Sequence, residues 1–151
     1  MEPFNFWQKW LLIFGIYLSI FGIVLAFFSN TELMNFIFNN QIDPVFWENV
    51  KLQQNIISFR SWIYGVLGAV ISGWGVTIAF IAHYPFREKQ KWAWNCIFVG
   101  AMLWFIIDMI ITIKYMVGFN ILFNCILLIF MLIPLVFTYN QFHSRQDNAL
   151  S

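Results

Sequence analysis

Charge is what this sequence has least of. Its 151 residues include eight Lys or Arg and seven Asp or Glu, 10% of the chain, whereas a soluble domain carries roughly 25% because its surface must be hydrated. Too few charges remain to cover a water-facing exterior, and the basic residues are too scattered for nucleic-acid binding. Cysteine is scarce as well. Cys96 and Cys125 form no CxxC pair and sit in different apolar runs, toward opposite sides by depth, which speaks against a disulfide or thiol redox chemistry. Two histidines, His83 and His143, lack a third ligand and make a poor metal site. No GxSxG, HExxH or Walker A pattern occurs, nor a pair of carboxylates in one layer, so nothing points to an enzyme, a metal or a cofactor.

What the chain does have is apolar length. It is 61% hydrophobic with a mean hydropathy of +0.73, and the solvent that suits such a surface is a lipid bilayer. A helix crosses the hydrocarbon core with about 20 apolar residues. Four runs qualify: 10–28, 62–82, 92–113 and 119–138. Separated ten-residue alternating segments, the mark of barrel strands, are missing. The expectation is an all-α fold: a four-helix transmembrane bundle in antiparallel up-down order, one integral membrane domain over 1–151. The first run is too long for a signal-peptide core, and LAFFSN has no small-x-small cleavage site, so it is expected to stay as a helix.

An even number of spans puts both termini on one side, with Lys9, Arg87, Lys89, Lys91 and Arg145, against Lys51, Arg60 and Lys114 on the other. The positive side faces the cytoplasm, which predicts an inner (plasma) membrane protein with both termini inside. Trp and Tyr mark the run edges as an aromatic belt does: Trp7, Trp10, Trp62, Tyr84, Trp92 and Tyr115 among them. The connection HYPFREKQK is short, predicts a hairpin of the second and third helices with Pro85 as the stop, and offers Arg87, Lys89 and Lys91 either as topology determinants or as a lipid head-group contact. The outer loop 29–60 is too apolar to run free. Ser29 with Glu32 resembles a capping box, Asp43 before Pro44 a second helix start, and Val50, Ile56 and Ile57 continue the apolar character. One or two short interfacial helices are predicted there; a polar tail is expected over 140–151.

Small residues form two lines. Gly15, Ser19, Gly22 and Ala26 recur at steps of four, three and four, and Gly68, Ser72, Gly75 and Ala79 repeat those steps in the second run. Such a stripe is straight on a left-handed supercoil, and in lipid, where helices gain from close van der Waals contact, it lets backbones approach. The two seams could face each other, or receive large side chains such as Trp104 or Phe130. Gly65 extends the second line; Gly65, Ala69 and Gly73 also make a rival four-step frame suited to a right-handed crossing or a homodimer. A groove for a flat or elongated apolar ligand is the functional reading.

Asp108 is the one charge inside a run. A carboxylate in the bilayer is costly and faces the bundle interior with partners. Thr112 and Tyr115 share its helix face, Asn120 and Asn124 lie on one face at the start of the next helix, and Asn124 lies about 10 Å from the outer end, the same depth as Asp108. With Arg60 reaching inward along its stem, the predicted polar cluster is Arg60, Asp108, Thr112, Asn120 and Asn124. It reads either as a network fixing helix register or as an outward-facing ligand, ion or proton site. Pro134 frees the carbonyl of Phe130, giving a kink or a hinge.

The blocks YGVLGAVISGWG (64–75), PFREKQKWAW (85–94) and LWFIID (103–108) resemble those of small bacterial four-helix integral membrane proteins of unassigned function. The resemblance runs from about Arg60 to Asn124, implies a single bacterial membrane domain, and brings no activity with it. Two functions are therefore expected in competition. One is a non-enzymatic membrane protein acting by helix packing, as a homo-oligomer or with another membrane protein. The other is a binding or transport protein for a small molecule, lipid or proton around Asp108.

Overall fold

In the computed structural model, residues 3–47 and 52–143 are described, and every regular element among them is helical. In chain order these are α1 (Pro3–Phe28), α2 (Glu32–Met34), a π-helical turn (Asn35–Asn39), α3 (Asn40–Trp47), α4 (Gln54–His83), α5 (Lys91–Lys114) and α6 (Gly118–His143). Four of them, α1, α4, α5 and α6, are long and apolar enough to cross a membrane. They overrun the sequence boundaries at polar ends: α1 begins seven residues before Trp10, and α4 takes up the last seven residues of the expected outer loop. Helical hydrogen bonding does not stop where hydrophobicity does, so apolar runs underestimate helix length. Residues 140–143, expected in a polar tail, belong to α6. Val50, Lys51 and Arg145 lie outside the described residues.

Between α1 and α4, residues 32–47 form a continuous helical cap rather than a loop. Its N-cap is Thr31, whose hydroxyl accepts from Met34 N–H at 3.4 Å, and not Ser29, which is buried with its carbonyl taken by Asn39 Nδ2. Asp43 and Pro44 start no new helix; both lie inside α3.

The α1–α4 contact is the most extensive in the molecule, and the small residues explain it. A Cβ on Gly15 would lie 2.6 Å from Ala79 N, and one on Gly22 would lie 2.5 Å from Gly68 O. From the other side, a Cβ on Gly68 would lie 2.7 Å from Ala26 N, and one on Gly75 would lie 2.6 Å from Gly15 O. Position numbers fall along α4 as they rise along α1. Each seam therefore receives the backbone of the other. Ser72 Oγ donates to Ser19 O across the seam at 3.0 Å. The large side chains considered as fillers go elsewhere: Trp104 meets Trp74 and Phe130 stacks on Trp10. Gly65 is marginal, its Cβ position 4.0 Å from Ala26 O.

The connection between α4 and α5 brings their backbones close at few points, although Trp74 of α4 meets Trp104 of α5 with ring centres 5.6 Å apart; α4 spends most of its packing surface on α1, while α5 packs on α6 and α6 on α1. A short connection makes helices neighbours in sequence, but the smoothest surface attracts the partner.

α1 also repairs two defects that prolines create. α4 ends in a turn where Phe86 N–H reaches back to Ile81 O, as in a Schellman closure, whose second bond must come from the residue between. That residue is Pro85, which has no N–H, and the stranded carbonyl of Ala82 accepts instead from the buried Gln8 Nε2 at 2.9 Å. α5, with Met116 in that position, makes both bonds, to Ile113 O and Thr112 O. In α6, Pro134 cannot bond Phe130 O, and Trp10 Nε1 donates to it at 3.0 Å. Trp94 Nε1 donates to Leu135 O just beyond, at 2.8 Å. Trp10→Phe keeps the ring stack and removes the donor; unfolding in detergent micelles should show a loss of about 1 kcal/mol.

Candidate functional site

Two polar groups lie toward the cap end. The first joins α5 to α6. Thr112, one turn beyond Asp108 on α5, donates its hydroxyl to Asp108 Oδ1 at 3.3 Å. Asn120 Nδ2 reaches Thr112 Oγ1 at 2.7 Å and Asp108 Oδ1 at 3.4 Å, and Asn124 Nδ2 donates to Asp108 Oδ2. Four of the five residues expected to converge therefore do so. The donors around the carboxylate are a hydroxyl and two amides, all neutral. Thr112 and Asn124 are buried, Asp108 and Asn120 half-buried. Chemically this is a clasp: acceptors on one helix, amide donors on the next, in a region where few other polar partners exist.

Arg60 does not join it. Its Nη1 pairs with Asp43 Oδ2 and its Nη2 donates to Asn30 Oδ1 at 3.3 Å. The sequence placed Arg60 at the right depth, but the cap supplies a carboxylate on the near side, and a full charge outcompetes a more distant one already holding three donors. Asn30 Nδ2 in turn donates to Ser61 Oγ at 2.7 Å. The pair is largely shielded, its side chains 11% and 19% exposed. Burial pushes the Asp43 carboxyl above its ordinary value, with the charge and hydrogen bond of Arg60 opposing the shift only in part. Lys114 turns to the ring of Tyr115, 5.5 Å away.

The cap reaches α1, α4, α6 and the residue that follows α5. Asp43 holds α4, Phe46 meets Tyr115 beyond α5, and Phe38 sits among Phe21 of α1 and Phe119 and Phe123 of α6. Sequence reasoning missed Asp43, Asn30 and Gln8 as structural partners. In sequence Asp43 reads as a cap beside Pro44, and Glu48 lies nearer to Arg60 along the chain, so no local signal singles out the pair.

At the opposite end Arg87, Lys89 and Lys91 are exposed. Lys89 adopts φ 58°, which closes the turn after α4, and its ammonium lies 4.7 Å from the Phe4 ring centre. Among the described residues no cluster of His, Cys, Asp and Glu could hold a metal, and Cys96 and Cys125 are free thiols. Between α1 and α6 a cleft of about 500 Å³ is walled by Trp10, Phe14, Tyr17, Phe123 and Phe130.

Among the described residues these features define an all-helical protein with four helices of membrane-crossing length and apolarity. No protein-family model, no curated protein and no solved structure matches the chain.

Proposed function

We propose that this chain is a multi-pass inner-membrane protein of bacterial type, its four long helices crossing in antiparallel up-down order with both termini cytoplasmic, and that it acts by association within the bilayer. The observation that carries this reading is the outer face of α4. A Cβ on Gly73 would have nothing within 4 Å, and Gly73, Ala69 and Thr77 are exposed at four-residue steps continuing from Gly65. The left-handed seam is occupied by α1, so the second small-residue frame is the one free to meet another helix. Small residues at that spacing support close right-handed crossings in lipid. The basic connection 87–91 supports the cytoplasmic placement of that end.

The test is the oligomeric state in liposomes across a range of protein-to-lipid ratios, by subunit photobleaching. The wild type should pair, and Gly73→Leu should weaken pairing at least tenfold, about 1.4 kcal/mol, while leaving the unfolding midpoint in place. A chain that is monomeric at every ratio would sink the proposal.

The alternative, a binding or transport protein around Asp108, draws support from a carboxylate that is only half-buried and has neutral partners. It predicts a small-molecule or proton response that Asp108→Asn abolishes.

A further inference from the structure

The junction between the cap and α4 carries more hydrogen-bonding capacity than the protein uses. Asp43 engages Arg60 through Oδ2, leaving Oδ1 without a protein partner. Arg60 commits Nη1 to Asp43 and Nη2 to Asn30, leaving Nε–H free. One helical turn along α4, on the same face, the Tyr64 hydroxyl is likewise unpartnered. All three atoms are closed off from solvent, and Tyr64 stands one helical turn from the Arg60 that is paired with Asp43. Buried polar atoms are almost always hydrogen-bonded, to protein or to an ordered molecule.

The chemistry of the three atoms selects the guest. Oδ1 only accepts, Nε–H only donates, and a phenol hydroxyl does either. An anion would meet Asp43, a cation would meet Arg60, and an apolar group would satisfy none of them. A hydroxyl group matches: it donates to Asp43 Oδ1, accepts from Arg60 Nε–H, and exchanges its remaining bond with Tyr64. We propose that the cap and α4 together form a binding site for a neutral hydroxyl group, held by Asp43, Arg60 and Tyr64. The hydroxyl has two sources. One is an ordered water, which needs two to four polar partners; the other is the glycerol end of a lipid entering under the cap.

Tyr64→Phe tests the site, because it removes one oxygen and almost no volume. In full-length protein in micelles, a bound hydroxyl makes this variant lose a hydrogen bond, and the unfolding midpoint should fall by about 2–4 °C. An unchanged or raised midpoint would mean that the phenol oxygen had no guest, and would overturn the proposal. Asp43→Asn, which keeps shape and weakens the acceptor, should move the midpoint the same way, with circular dichroism confirming retained helix in both variants. Native mass spectrometry from micelles doped with a neutral monoacylglycerol separates the sources. An adduct on the wild type that Tyr64→Phe loses identifies a lipid hydroxyl, whereas a midpoint loss with no adduct on either protein identifies water. The site is independent of in-plane pairing: a chain monomeric in liposomes would leave these results unaltered.

Discussion

Gly75→Ala should destabilise the protein by about 3 kcal/mol or more, the upper end of the cost of overpacking. The added methyl has nowhere to go, since its position lies 2.6 Å from the carbonyl oxygen of Gly15 and 2.9 Å from Ser19 Cα. A clash with a flexible side-chain end is relieved by a rotamer change; a clash with the backbone of a facing helix is relieved only when the helices separate. Gly68→Leu should go further and abolish the α1–α4 pairing, because its Cβ meets Ala26 N at 2.7 Å and its branches extend the conflict. Gly73→Ala is the control. Its Cβ faces open space, and Ala is the better helix former by about 0.5–1 kcal/mol, so stability should hold or rise. Equilibrium unfolding in mixed micelles, followed by helix loss and by proximity of labels on α1 and α4, distinguishes these outcomes. Equal stability of Gly75→Ala and Gly73→Ala would refute the backbone-contact account.

The second large effect falls on Asp108. Asp108→Leu removes the acceptor of Asn124 and of the Thr112 hydroxyl and the longer of two bonds made by Asn120, whose 2.7 Å bond to Thr112 Oγ1 remains. Interhelical hydrogen bonds inside membranes are worth about 0.6 kcal/mol on average and up to about 1.7 kcal/mol, so two of them predict a loss of about 1–3 kcal/mol. The cost of placing a carboxylate in lipid does not offset this in micelles, because the helix is inserted in both folded and unfolded states. Asp108→Asn retains one acceptor oxygen and should lose less than Asp108→Leu. The readout is the same unfolding equilibrium with labels on α5 and α6. A Leu variant as stable as the wild type would show that the clasp does not hold those helices together, and would shift attention to the binding reading.

Much of the fold is legible before any coordinates. A helix of about 20 apolar residues is a local property, and its location follows from composition within one window; this is why the runs at 10–28, 62–82, 92–113 and 119–138 all lie within helices. The polar cluster was nearly legible for the same reason, since Asp108 and Thr112 are four residues apart on one helix and Asn120 and Asn124 on the next. Arg60 failed because the competition was tertiary: its partner, Asp43, sits 17 residues away in a segment whose path only packing sets. The turn after α4 shows the same limit. Sequence identifies Pro85 as a stop, but not that the carbonyl it strands would be met by Gln8, 74 residues earlier.

By itself, then, the sequence determined the number of long helices, their apolar character and the existence of two small-residue seams, because each depends on spacing along one helix. Which surfaces meet was decided by the tertiary structure. The seams close on each other, α5 turns to α6 rather than to α4, and the cap takes Arg60 away from Asp108. The physical reason, on the membrane reading proposed above, is that in an apolar surrounding every exposed face is about equally tolerable, so burial alone ranks no partner above another. Backbone proximity and the pairing of a few polar atoms make the choice, and both exist only between elements already placed in space.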